Sequence, residues 1–138
     1  MTSAAEQLDA FLQRVPYVRF LGMRAELAGD ELTAILPFKP DLVGNIYLPA
    51  VHGGVLGAFM ELTAQSQLAI SQQTTLKVPK AIDVTIEYLR SARPVTTYAR
   101  AHVRKIGKRV ANVHVEAWQD ERSAPVAALG GHFMLVAG

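Results

Sequence analysis

Between Asp41 and Lys77 the chain carries, His52 aside, one charged side chain, Glu61. The run from Val51 to Gln73 reads VHGGVLGAFMELTAQSQLAISQQ, a His-Gly-Gly turn followed by a largely apolar stretch. Val55, Leu56, Phe59, Met60, Leu62, Leu68 and Ile70 cover most of the circumference of a helix, and a helix apolar nearly all round is buried on several sides. A lone carboxylate in such a setting costs free energy unless it is paired or used. The stretch therefore predicts a central helix that starts at Gly53 or Gly54, ends near Gln72 and carries an acid with a task. Its length approaches that of a bilayer span. But Glu61, Gln65, Ser66 and Gln67 would fall near the bilayer centre, and no basic cluster flanks the run, so a buried helix and no membrane association are expected.

The segments on either side must wrap this helix. Ala4 to Arg14 has apolar residues at helical spacing, with Ser3 as a cap and Pro16 as a stop. Residues 18–27 read as a strand with Gly22 as a bend or bulge, Ala28-Gly29-Asp30 as a turn and Glu31 to Leu36 as the returning strand. Three prolines and Gly44 make residues 37–51 a loop. After Pro79 the pattern switches to period two, with Ile82, Val84, Ile86 and Tyr88 on one face and Asp83, Thr85 and Glu87 on the other. Residues 96–106 and 109–119 read as two strands joined at Gly107-Lys108, and residues 126–137 as a last strand with Gly130-Gly131 marking a bend. Met23, Met60 and Met134 read as core. One helix, two strands, a buried helix and four strands argue for an α+β fold with an antiparallel sheet, in one domain spanning 1–138.

The chain has no cysteine, which excludes disulfides and Cys-based zinc sites and makes the cytoplasm the expected location. No basic segment followed by an apolar run opens the sequence, so no signal peptide is expected. The four histidines are scattered and no metal site is expected. Basic residues outnumber acidic ones in the C-terminal half, which suits an anionic ligand, but no nucleic-acid motif accompanies them.

Asn45 in the loop, His52-Gly53-Gly54, and Glu61 nine residues after the histidine resemble the signature of the hotdog-fold acyl-CoA thioesterases. They resemble especially the phenylacetic-acid-pathway (PaaI-like) thioesterase branch of the 4HBT superfamily. Residues 81–89, AIDVTIEYL, look like that family's strand after the helix, and residues 103–109, VRKIGKR, like its basic hairpin. The resemblance covers roughly residues 18–137 and implies a hotdog fold, a long central helix wrapped by a curved antiparallel sheet, with an N-terminal helix. It implies an acyl-CoA substrate, no cofactor beyond the coenzyme A that the substrate carries, and a homodimer that can pair into a homotetramer. Many relatives place a Ser or Thr near the acid; the matching positions here are Ala81 and Gln65.

On this resemblance Glu61 is the general base or the nucleophile of thioester hydrolysis. A helix N-terminus offers N–H groups and a positive dipole end, so the Gly54 N–H is assigned to carbonyl polarisation and Gly53 to clearance. His52 positions the loop, and Asn45 either orients water or carbonyl or forms an Asx turn. Gln65 holds the acid or water, or faces a second subunit. Arg104, Lys105, Lys108 and Arg109 are candidates for the phosphates of coenzyme A, or else a solvated strand edge. Gly54 and Glu61 lie about 10 Å apart along a helix axis, too far for one carbonyl to touch both. A dimer in which Glu61 of one chain faces Gly54 of the other meets that constraint. Two other classes stay open: a hotdog hydroxyacyl-thioester dehydratase or hydratase, and a non-catalytic acyl-CoA-binding protein.

Overall fold

The computed structural model describes residues 3–42, 53–71 and 79–135. Helix α1 (Ala4–Arg14) begins where the sequence places it: Ser3 Oγ accepts the Glu6 N–H at 3.1 Å and donates to the Glu6 carboxylate at 3.0 Å. Residues 18–27 depart from the strand reading. Pro16 ends α1 and also opens a second helix, α2 (Pro16–Leu21), because proline's fixed φ suits a first helical turn and forces Val15 before it into an extended conformation. Val18 and Leu21, three residues apart, bury the same side of α2. Gly22 then stops the helix at φ 75°, a left-handed value open to glycine, with its N–H donating to the Val18 and Arg19 carbonyls. The first strand, β1 (Arg24–Ala28), starts only after this cap and pairs with β2 (Glu31–Leu36).

The other described elements are the long helix α3 (Gly53–Ser71), the strands β3 (Lys80–Tyr88), β4 (Thr97–Ile106), β5 (Val110–Trp118) and β6 (Ala127–Met134), and a 3-10 turn at Pro40–Leu42. Among the described residues all pairings are antiparallel and the strands lie in the order β1-β2-β4-β5-β6-β3, which puts β1 and β3 at the two edges. Ala99, Ala101, Ala111, Val113, Val115, Ala117, Ala127, Leu129 and Phe133 form the buried face of the sheet. The small residues among them let α3 lie close against β2, β3, β4, β5 and β6, while α1 and α2 cover its other side. This is the α+β, helix-in-sheet hotdog arrangement expected from the sequence.

Of the polar residues of α3 that argued against a bilayer, Gln65, Ser66 and Gln67 are hydrogen-bonded. Thr63 and Ser66 donate back to the Phe59 and Leu62 carbonyls, each at 2.7 Å. Gln67 accepts the Leu32 N–H at 3.1 Å and donates to the Asp30 carbonyl at 3.0 Å, tying the helix to the β1–β2 turn. No described helix is long and apolar enough to cross a membrane.

Two bulges alter the strict alternation read from the sequence. In β3 the register with β6 shifts between Ala81 and Asp83. The extra residue moves Ala81 onto the inner face beside Val84 and Ile86 and leaves Ile82, expected inside, 51% exposed. Tyr88 is also exposed, at 55%. A second shift, between Val103 and Lys105, puts Arg104 at a bulge near the end of β4. Met134, expected in the core, ends β6 on the open side at 52% exposure. Gly130-Gly131 makes no bend: both residues continue the β6 ladders to β3 and β5. Gly131 is glycine because the β3 backbone crowds it; a Cβ there would lie 2.5 Å from the Asp83 carbonyl oxygen.

Candidate active site

The first turn of α3 meets the end of edge strand β3. The Tyr88 hydroxyl donates to the Gly53 carbonyl at 2.8 Å, and the tyrosine ring lies over Gly53 where a Cβ would come within 3.4 Å of it. One turn on, a Cβ at Gly57 would stand 2.8 Å from Ile86 Cδ1, so the missing side chain is what lets β3 press onto the helix. Two turns further, Gln65 Nε2 donates to the Pro79 carbonyl at 2.9 Å, just before β3 begins. Gly53, Gly57, Glu61 and Gln65 are spaced by four and form one row along α3. Because Gly57 and Gln65 both face β3, Glu61 between them faces the middle of that strand, on the side of its bulge and of Ala81.

Glu61 is half-buried, and no side chain among the described residues pairs with its carboxylate. Gln65 is buried and its amide N–H₂ is committed to the Pro79 carbonyl, so it fastens α3 to the start of β3. Gly53 is half-buried and Gly54 exposed at the helix start. Asn45 and His52 lie outside the described residues. A cleft of about 500 Å³ opens beside the helix start, lined by Gly53, Leu56, Tyr88, Leu89, Arg90 and the two residues that follow. Arg90 donates to the Pro125 carbonyl at 3.2 Å, and Arg93 pairs with Asp120 nearby.

Arg104, Lys105, Lys108 and Arg109 do gather, all exposed, around the β4–β5 turn, where the Gly107 N–H donates to the Val110 carbonyl at 2.9 Å. That turn is level with Val110, Met134 and Lys80 in the ladders, whereas Gly53 is level with Tyr88 at the other end of β3. Eight strand residues at about 3.3 Å each separate the two levels by about 26 Å. Within one chain the basic hairpin and the Gly53-Gly54 start do not share a site. Tyr88 and Arg90 were not singled out as site residues by the sequence; the only cue was an aromatic residue ending a strand, which says nothing about its distance from a glycine far upstream. No group of three or more possible metal-ligating side chains occurs among the described residues.

On the outer face of the sheet, His132 Nδ1 lies 2.9 Å from the Asp83 carboxylate, and this hydrogen bond holds the Asp83 pKa below its ordinary value. His114, on β5 between β4 and β6, is half-buried; burial first, then the charges of Arg104 and His102, push its pKa below the ordinary value against the opposing pull of Glu116 and Glu87. These groups sit on the far side of the sheet from α3 and belong to the fold.

The thioesterase superfamily family pattern matches residues 48–126, which contain α3, its glycines, Glu61 and the strands through β5. The chain belongs to the thioesterase superfamily. A medium/long-chain acyl-CoA thioesterase of Escherichia coli, YigI, is 29% identical over 128 residues, covering 83% of this chain and 82% of its own. The crystal structure of a protein from Chromobacterium violaceum is 37% identical with a TM-score of 0.75, covering 99% of this chain and 98% of that one. The PaaI protein of the Escherichia coli phenylacetic acid degradation operon superposes with a TM-score of 0.79 at 20% identity, covering 98% and 94%, a likeness of fold. This thioesterase is thus a thioester hydrolase, and the dehydratase and non-catalytic alternatives give way to that class.

Proposed function

We propose that this thioesterase hydrolyses acyl-CoA esters to the free acid and coenzyme A, with Glu61 as base and the start of α3 as the oxyanion site. The observation that carries the reading is the row Gly53, Gly57, Glu61, Gln65: an acid without a described partner and a glycine-opened helix start, both turned toward an edge strand. The relative YigI, named for medium and long acyl chains, makes aliphatic esters the first substrates to try. Hydrolysis proceeds by attack of water on the thioester carbonyl as the Glu61 carboxylate takes its proton. The oxyanion is met by the Gly54 N–H at the positive end of α3. Collapse of the tetrahedral adduct breaks the C–S bond, and the proton held by Glu61 passes to the departing thiolate. The scheme needs no group besides the coenzyme A within the substrate.

One helix cannot bring both ends of its own row to one carbonyl, as the rise of 1.5 Å per residue shows. β3 is an edge with open backbone groups and exposed Ile82 and Tyr88. A second copy docked along it would bring Glu61 of one protomer toward Gly54 of its partner, and pairs of such dimers would make a tetramer. The test is a panel of aliphatic and aromatic acyl-CoA esters followed by free-thiol release, with wild type and Glu61→Ala. Loss of a general base lowers kcat by about 10²–10⁴-fold; a variant as fast as wild type overturns the role of Glu61. Sedimentation of the active protein as a monomer overturns the shared site.

A further inference from the structure

We propose that Tyr88 is a positioning residue for the oxyanion site: its hydroxyl orients and polarises the peptide group that joins Gly53 to Gly54. The inference rests on the reading of the Gly54 N–H given above. The Tyr88 hydroxyl donates to the Gly53 carbonyl oxygen at 2.8 Å. That oxygen and the Gly54 N–H are the two ends of one planar peptide unit. A hydrogen bond accepted at the oxygen draws electron density from the nitrogen and makes the N–H at the other end a stronger donor. In a regular helix the same oxygen also accepts an N–H four residues on, so the tyrosine occupies its second lone pair and adds a bond from outside the helix.

The surroundings are shaped for this contact. A peptide flanked by glycines has the widest choice of orientations, and here it opens a helix, where the ladder restrains it least. The ring of Tyr88 covers Gly53, with Cε1, Cζ and the hydroxyl oxygen all 3.4 Å from where a Cβ would stand. At Gly57, one turn on, a Cβ would come within 3.7 Å of the same hydroxyl oxygen and 2.8 Å of Ile86 Cδ1. Two glycines one turn apart thus clear the space into which the tyrosine reaches. Tyr88 is more than half exposed and adds little to the core, yet its hydroxyl donates to a backbone oxygen. It also lines the cleft beside the helix start, so it lies where the thioester would enter.

Tyr88→Phe removes the hydroxyl and keeps the ring. Thiol release from acyl-CoA esters is measured for wild type, Tyr88→Phe and Glu61→Ala, with the thermal midpoint of each. Tyr88→Phe is expected to lower kcat about 10-fold, less than the about 10²–10³-fold cost of removing an oxyanion donor outright. KM stays within about two-fold, the signature of an interaction made in the transition state, and the thermal midpoint holds. A wild-type kcat beside an inactive Glu61→Ala overturns the role of Tyr88 alone; a wild type that cleaves no acyl-CoA ester overturns the proposed function and this inference together. A lower thermal midpoint with unchanged kcat per folded molecule also refutes it, since that is what a purely structural bond would give. Should Tyr88→Phe not fold, 3-fluorotyrosine placed at position 88, a stronger donor of nearly the same size, is expected to raise kcat. An unchanged kcat there refutes the inference.

Discussion

Adjacent glycines in β6 should respond to the same substitution with opposite signs. Gly131 faces inward under the β3 bulge, and a Cβ there would lie 2.5 Å from the Asp83 carbonyl oxygen, 2.9 Å from Val84 Cγ1 and 3.3 Å from Val84 Cα. Two of these three atoms are backbone, so no side-chain rotation relieves the contact. To reach ordinary van der Waals separation β3 must retreat from β6 by about 1 Å, which stretches ladder bonds of about 2.9 Å past the useful limit. Overpacking of this kind costs about 1–3 kcal/mol, and each weakened ladder bond about 1 kcal/mol more. Against this stands a gain of about 0.4–1 kcal/mol from stiffening the unfolded chain. Gly131→Ala should therefore lose about 2 kcal/mol, a fall in thermal midpoint of about 6–10 °C for a domain of this length. At Gly130, on the outer face, no atom lies within 4 Å of the added Cβ, and its backbone is ordinary strand. Gly130→Ala should therefore gain about 0.5 kcal/mol, a rise of about 2 °C. Both variants and the wild type are compared by circular dichroism at one fixed protein concentration, because association shifts apparent stability. Shifts of the same sign, or a Gly131→Ala midpoint within about 2 °C of wild type, would refute the close approach of β3 as the reason for this glycine.

Gln67→Leu removes both bonds that tie α3 to the β1–β2 turn, and the Leu32 N–H is left inside without an acceptor. A loss of about 1–3 kcal/mol in urea unfolding is expected, and a change below about 0.5 kcal/mol would show that the tie is not used. His114 has its folded pKa below its ordinary value of 6.5 because burial disfavours the charged ring. Its contribution is intact above that value, where both states are neutral. It is lost as pH falls through the folded pKa, because the unfolded chain takes up the proton first. The urea midpoint should drop between about pH 8 and about pH 5 by less in His114→Gln than in wild type; equal drops would show that His114 contributes nothing to the slope.

What the sequence made legible was whatever depends on neighbours along the chain. The apolar circumference of residues 55–70 led to α3, and alternation after Pro79 led to β3 through β6, within a residue or two of their ends except at β6, which stops at Met134, three residues before the expected end. α2 was missed because Val18, Phe20 and Leu21 in so short a run suit a strand as well as a helix, and the left-handed Gly22 that separates it from β1 shows no sign of its conformation in the residue type. The bulge that turns Ile82 outward and the crowding at Gly131 are one event, created by two strands that meet across the sheet. Alternation along a single strand contains no information about it. At the candidate site, Glu61 and the glycines stood out by composition, as a charge and as missing side chains in an apolar run. Tyr88 did not, because its role comes from an oxygen that lies far back in the chain. The four basic residues of the β4–β5 turn were legible as a cluster, but their level in the sheet, remote from Gly53, emerged only from the ladder register.

The two glutamines of α3 act at different places: Gln65 grips the strand side at the Pro79 carbonyl, and Gln67 grips the opposite end of the sheet at the β1–β2 turn. A rod riveted on both flanks cannot slide or roll, so the span from its glycine end to its carboxylate is a gauge of constant length. Any variant that changes which acyl group is accepted should leave this gauge untouched and reshape the walls around it.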